Sequence, residues 1–187
     1  MEGEKGLYQP RARSKHVVVT VGNKMYVWGG WAGTDQYSRT LASYLEIFDF
    51  TSGAWSSKQT RGTPPRGLID PAYTCVGGRK LYVFGGYDGM AAKRCTNDLH
   101  ELDLNTLEWK KVVPINYLDV VGTPRPMYGA RMVAGDHDIL VMYGGMISSD
   151  QTSGDVFVYD IQNGKDYVCQ VAEIITPDSI GFQLFDH

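Results

Sequence analysis

Three short apolar runs in this chain each end in a glycine pair: Met25-Tyr26-Val27-Trp28-Gly29-Gly30, Leu81-Tyr82-Val83-Phe84-Gly85-Gly86 and Leu140-Val141-Met142-Tyr143-Gly144-Gly145. The pairs lie 56 and then 59 residues apart. A near-constant period of that length marks an architecture built from repeated units, so it limits the fold more than any single residue does. The unit must be a supersecondary structure that buries its apolar face against its neighbours.

Aligning the glycine pairs brings other positions into register. Downstream lie Leu45-Glu46-Ile47-Phe48-Asp49, Leu99-His100-Glu101-Leu102-Asp103 and Val156-Phe157-Val158-Tyr159-Asp160, each followed by a turn signal such as Ser52-Gly53, Asn105-Thr106 or Asn163-Gly164. Six residues after the aspartate stand Trp55 and Trp109, whereas the third unit has Asp166 there, with Tyr167 next. Upstream are the β-type runs His16–Val21, Ala72–Val76 and Ala130–Ala134, each parted from the glycine-pair run by a short Gly-bearing turn and preceded by a Pro-Arg step (Pro10-Arg11, Pro65-Arg66, Pro124-Arg125). Each unit thus reads as four short strands, and helices should be minor because no long stretch carries a 3.6-residue period.

The run before each glycine pair is apolar throughout. A strand of that kind must be covered on both faces, as in a sheet stacked between two others. Four-stranded sheets stacked around an axis are propeller blades. Tyr26, Tyr82 and Tyr143 are accordingly expected in the core, with Trp55 and Trp109 filling the widening space between blades.

The four apolar residues before Gly-Gly, the segment Asn97-Asp98-Leu99-His100-Glu101-Leu102-Asp103 and the following Trp109 resemble the kelch repeat. The resemblance implies an all-β fold of three four-stranded antiparallel sheets, kelch-type β-propeller blades in an incomplete ring. The divisions are an N-terminal segment at 1–9, a repeat region at 10–172 (blades at about 10–60, 61–113 and 114–172) and a non-repeat tail at 173–187. Closed propellers hold four to eight blades, and no fourth pair follows Gly145. The chain therefore resembles a partial or truncated member, with open blade faces that favour self-association.

Within an up-and-down blade, the links from strand one to two and from three to four share a face, and they are short here. The links from two to three and from blade to blade share the opposite face, and they are long. Long loops on a rigid scaffold are where binding concentrates, and aromatics with arginine dominate interface hot spots. The candidate partner-binding residues are therefore Tyr37, Arg39, Arg66, Tyr87, Arg94, Arg125 and Tyr128. Arginine can clamp a carboxylate of an acidic peptide or a free C-terminus. The Pro-Arg arginines recur with the repeat, which suits bracing between blades as well as binding.

Catalysis finds no constellation. His16, His100, His137 and His187 have no metal-ligand spacing, and no nucleophile elbow or phosphate loop is present. No catalytic residue, metal or cofactor is assigned. Three cysteines without CxxC spacing argue against a disulfide framework and suggest the cytoplasm or nucleus. A net charge of −3 favours neither nucleic acid nor an anionic membrane. The expected function is a non-catalytic protein-interaction module that binds a protein or peptide on the long-loop face. The resemblance implies kelch domain-containing proteins without BTB or BACK modules, and with them a substrate-recruiting ubiquitin-ligase adaptor whose partners include cullin-RING ligase components. The alternatives are a structural or cytoskeletal scaffold and, ranked last, a propeller enzyme.

Overall fold

A computed structural model describes residues 8–89, 94–112 and 124–162 and the backbone of 165–169, without the side chains of Asp35, Tyr37 and His137. Residues 1–7 of the expected N-terminal segment, residues 113–123 and the expected tail at 173–187 lie outside the described residues.

The strands fall where the repeat places them. The first blade pairs β1 (Val17–Val21), β2 (Lys24–Trp28), β3 (Tyr44–Asp49) and β4 (Ala54–Gln59) antiparallel in that order, with a seven-residue helix, α1 (Asp35–Leu41), in the β2–β3 loop. After β5 (Arg61–Gly62), the second blade follows as β6 (Ala72–Val76), β7 (Lys80–Phe84), β8 (Leu99–Asp103) and β9 (Glu108–Val112). The third comprises β10 (Arg131–Ala134), β11 (Ile139–Tyr143), β12 (Val156–Asp160) and β13 (Lys165–Cys169).

Three four-stranded sheets is one strand too few for the second blade. The chain leaving the first blade lays β5 parallel to β9, pairing Arg61 with Glu108 and Gly62 with Trp109. The added strand covers an edge that would otherwise present unpaired backbone groups. Gly62 is required there, since a Cβ would stand 2.1 Å from the Trp109 carbonyl oxygen.

The recurring aspartate has a local cause. Asp49 Oδ1 accepts from the backbone N–H groups of Thr51 (2.8 Å) and Ser52 (3.1 Å), and Asp103 Oδ1 accepts from those of Asn105 (2.8 Å) and Thr106 (3.3 Å). Each carboxylate closes the tight turn between the third and fourth strands. The Arg79 guanidinium 2.6 Å away, helped by those backbone bonds, holds the Asp103 carboxyl down at about 2.

Two cores lie between the three blades. Val17, Trp28 and Leu45 of the first blade meet Leu81, Val83, Leu102 and Trp109 of the second. Ala72, Tyr82 and Phe84 on the second blade's other side meet Met132, Leu140, Met142, Phe157 and Tyr159 of the third. β7 serves both cores through alternate residues, which is why it is apolar throughout. β11 serves only one. Leu140 and Met142 are buried, but Tyr143 is 59% exposed. The expectation that Tyr143 is core therefore fails, because no sheet among the described residues covers its side of the third blade; Tyr82 is buried and Tyr26 half-buried.

The same asymmetry explains the tryptophans. Trp109 points at the preceding blade and packs on Trp28, ring centroids 4.9 Å apart. Trp55 occupies the equivalent place on the first blade but has no preceding sheet among the described residues. It lies half-buried against Phe48, centroids 5.1 Å apart.

Candidate functional site

The short links run from two residues (22–23) to four (50–53), whereas the β2–β3, β7–β8 and β11–β12 loops and the crossings between blades are all longer. The long loops leave from one face of the up-and-down sheets, and backbone hydrogen bonds fasten them to one another. The residue after each glycine pair bridges to the lead-in of its own blade: Trp31 to Ser14, Tyr87 to Ile69 and Met146 to Tyr128. The second glycine of a pair donates to the lead-in of the next blade, Gly30 N–H to the Leu68 carbonyl (2.7 Å) and Gly86 N–H to the Met127 carbonyl (2.8 Å). Beside these run Asp70 N–H to the Lys15 carbonyl (2.9 Å) and Gly129 N–H to the Asp70 carbonyl (2.7 Å). The loop face is thus a rigid platform stitched across blade boundaries.

Five of the seven residues expected to bind a partner gather around the second glycine pair. The Tyr87 and Tyr128 rings lie 5.5 Å apart, tilted by 52°, across the boundary between the second and third blades. Arg94 belongs to the same loop as Tyr87, its carbonyl accepting from Asp88 N–H at 2.8 Å. Arg125 follows Pro124, whose carbonyl accepts from the Asn97 side chain at 3.1 Å, and Met127 N–H donates to the Thr96 carbonyl. Arg66 precedes Gly67, which packs so closely on Gly85 that a Cβ there would stand 2.0 Å from its carbonyl oxygen. Arg66, Arg94 and Arg125 are exposed, and among the described residues none of their guanidinium groups makes a hydrogen bond or ion pair.

The remaining two lie elsewhere. Arg39 is exposed in the last turn of α1, and Tyr37 is on the same helix with its side chain outside the described residues. Ser38 anchors this helix, its Oγ accepting from Ala32 N–H (3.2 Å) and donating to the Thr34 carbonyl (2.9 Å).

The arginine that braces is one the repeat pattern did not single out. Arg13 is buried with Glu46, its guanidinium 3.4 Å from the carboxylate, and also donates to the Gly29 carbonyl (3.3 Å). Tyr8 donates to the other Glu46 oxygen at 2.6 Å. Burial pulls the Arg13 guanidinium below its ordinary value while Glu46 opposes the shift, and burial and the bond to Glu46 raise the Tyr8 phenol. The signal was present in the sequence: Glu46 stands between Leu45 and Ile47 in the middle of a strand, where a lone carboxylate would be costly.

His100 lies buried on β8 facing the first blade, with Nδ1 unpartnered, and burial pushes it down to about 4 against the nearby Asp98. It is a neutral core residue at pH 7. Among the described residues no group of three or more His, Cys, Asp or Glu is placed to hold a metal ion, and no helix is long and apolar enough to cross a membrane.

The chain resembles known proteins along most of its length. Residues 3–183 match the family model described as the KLHDC2/KLHL20/DRC7 Kelch-repeats domain. Kelch domain-containing protein 3 of Rattus norvegicus is 32% identical over 140 residues, 73% of this chain and 32% of that protein. Kelch domain-containing protein 1 of Homo sapiens is 30% identical over 138 residues, 71% of this chain and 32% of that protein. N-(sulfonatooxy)prop-2-enimidothioate sulfolyase of Thlaspi arvense is 27% identical over 166 residues, 87% of this chain and 45% of that protein. The chain spans less than half the length of each of these relatives. With the family model matched over nearly its whole length and its sheets laid out as blades, this chain belongs to the kelch-repeat family.

Proposed function

We propose that this protein captures a protein or peptide partner on its long-loop face, without catalysis. Kelch-repeat domains generally mediate protein–protein interaction, and the observation that carries the reading here is the Tyr87–Tyr128 pair (5.5 Å) on the loop face that also carries the exposed Arg66, Arg94 and Arg125. Rigid aromatics supply contact area at low entropic cost. Exposed guanidinium groups such as these, unpaired among the described residues, can each take a carboxylate in a bidentate pair. The favoured ligand is therefore an extended segment carrying acidic side chains or a free C-terminal carboxylate.

Coupled to a ubiquitin ligase, such a surface would serve as a substrate receptor; that coupling, through cullin-RING components, rests on the family resemblance alone. Free thiols at Cys75 and Cys95 support work in a reducing compartment, the cytoplasm or nucleus.

Selection from a random peptide library with free C-termini tests the reading. Enriched peptides should carry carboxylates and lose binding as salt rises. Their binding should weaken by about tenfold or more in Tyr87→Ala/Tyr128→Ala. Enrichment of basic or purely apolar peptides, or equal binding to that variant, would overturn it.

A further inference from the structure

The two blade boundaries repeat one geometry, and the third blade carries half of it with nothing opposite among the described residues. At the first boundary the position of a Cβ on Gly29 is filled by the Leu68 carbonyl oxygen, 2.8 Å away; at the second, that of Gly85 is filled by the Met127 carbonyl oxygen at 2.5 Å. The equivalent Gly144 has the same left-handed backbone, φ +77, and nothing within 4 Å among the described residues. Gly30 and Gly86 donate to those carbonyls, but among the described residues Gly145 N–H has no such acceptor. The residue before the pair behaves alike: Trp28 is 0% and Phe84 5% exposed, but Tyr143 is 59% exposed, with Val133 on the same face at 60%. Val141, Val156 and Val158 continue that face, half-buried.

The occupant is specified by the two boundaries already filled. It is an extended lead-in offering a carbonyl at one residue and an N–H two residues on (Leu68 and Asp70, Met127 and Gly129). Behind the lead-in stands a sheet whose fourth-strand tryptophan meets the residue before the glycine pair, as Trp109 meets Trp28. Among the described residues this chain contains one further set of such groups, at its other end: the Arg13 carbonyl, the Lys15 N–H and Trp55, half-buried beside Phe48 on the side of the first blade turned away from the second. A head-to-tail contact needs two different surfaces on one molecule, each complementary to the other. Both are present.

We propose that the open face of the third blade docks the first blade of a second copy of this chain, head to tail. Tyr143 of one copy lies against Trp55 of the other, and Gly145 N–H donates to the carbonyl of Arg13. The contact is separate from the Tyr87–Tyr128 face, so its failure would leave that reading untouched.

Sedimentation velocity of the 187-residue chain over a micromolar concentration series tests this. The chain should associate, and Tyr143→Glu and Trp55→Ala should each weaken association by about tenfold or more. Tyr143 is exposed, so its variant should melt as the parent does. Trp55 is half-buried, so its variant counts once its melt is cooperative. An equimolar mixture of the two should associate again, because each supplies the surface the other lacks. Three results would overturn the proposal: a monomeric parent chain; association that Tyr143→Glu leaves intact; or self-association of Trp55→Ala alone, which would mean that third blades pair with each other. A parent monomer in which Tyr143 is shielded from chemical modification would mean that residues 170–187 of the same chain cover the face instead.

Discussion

Gly85→Ala and Gly144→Ala ask the same question of two equivalent backbones with different neighbours. Both positions are left-handed, φ +68 and +77, so an alanine at either pays the Cβ–carbonyl conflict of that region, about 1–2 kcal/mol. Only Gly85 also has a backbone oxygen, that of Met127, where the new methyl would go, at 2.5 Å. Restoring an ordinary contact pushes the third blade's lead-in away by most of an ångström. It lengthens the buried Gly86 N–H to Met127 bond, now 2.8 Å, and an unsatisfied buried backbone donor costs about 1–3 kcal/mol. Gly85→Ala should therefore destabilise by about 2–5 kcal/mol and Gly144→Ala by about 1–2 kcal/mol. Urea unfolding followed by tryptophan fluorescence, at a concentration low enough to keep the chain monomeric, reads the difference. Equal losses would refute the blade boundary as described, and so would a larger loss at Gly144.

Three further outcomes follow from the structure. Arg13→Met strands the Glu46 carboxylate in a buried site and should destabilise by about 3 kcal/mol, whereas Arg13→Met/Glu46→Leu should recover most of it; a double variant no better than the single would show that Glu46 is not buried with this partner. His100 is held near 4 when folded against an ordinary 6.5, so the unfolded chain takes up the proton first and stability present at pH 7 is lost as pH falls from 6.5 towards 4. The loss should be about 1–2 kcal/mol, allowing for solvent screening, and the parent-minus-variant difference against His100→Leu isolates it; a flat difference across that window contradicts the burial. Trp109→Ala, which empties the contact with Trp28 between the first two blades, should cost about 3–5 kcal/mol and more than Trp55→Ala.

What was legible in the sequence was whatever repeats. The glycine pairs and the four strands per unit recur with every blade, and the Asp-closed turns with the first two, because their causes are local or near-neighbour. The lengths of the links were legible for the same reason, and with them the face from which the long loops leave. What failed was periodic inference at the ends of the array: Tyr143 has the pattern of a core residue, but its burial depends on a neighbour that pattern cannot supply. β5 escaped because two residues, Arg61 and Gly62, carry no strand signal, and their pairing with β9 is decided by where the crossing chain passes. Arg13 with Glu46 escaped because a single buried ion pair in one blade has no counterpart in the others. At the candidate site, Tyr87 and Tyr128 lie 41 residues apart on separate loops, and only the fold brings their rings together.

Whether the long-loop face around the second glycine pair holds the partner is read from the affinity of a library-selected peptide for the parent chain and for Arg66→Ala/Arg94→Ala/Arg125→Ala, with melting curves run alongside. These arginines are exposed, and none has an intramolecular partner among the described residues, so the fold should be unaffected. The loss of binding should reach about a hundredfold or more. Unchanged affinity in a variant that melts as the parent does would contradict the account.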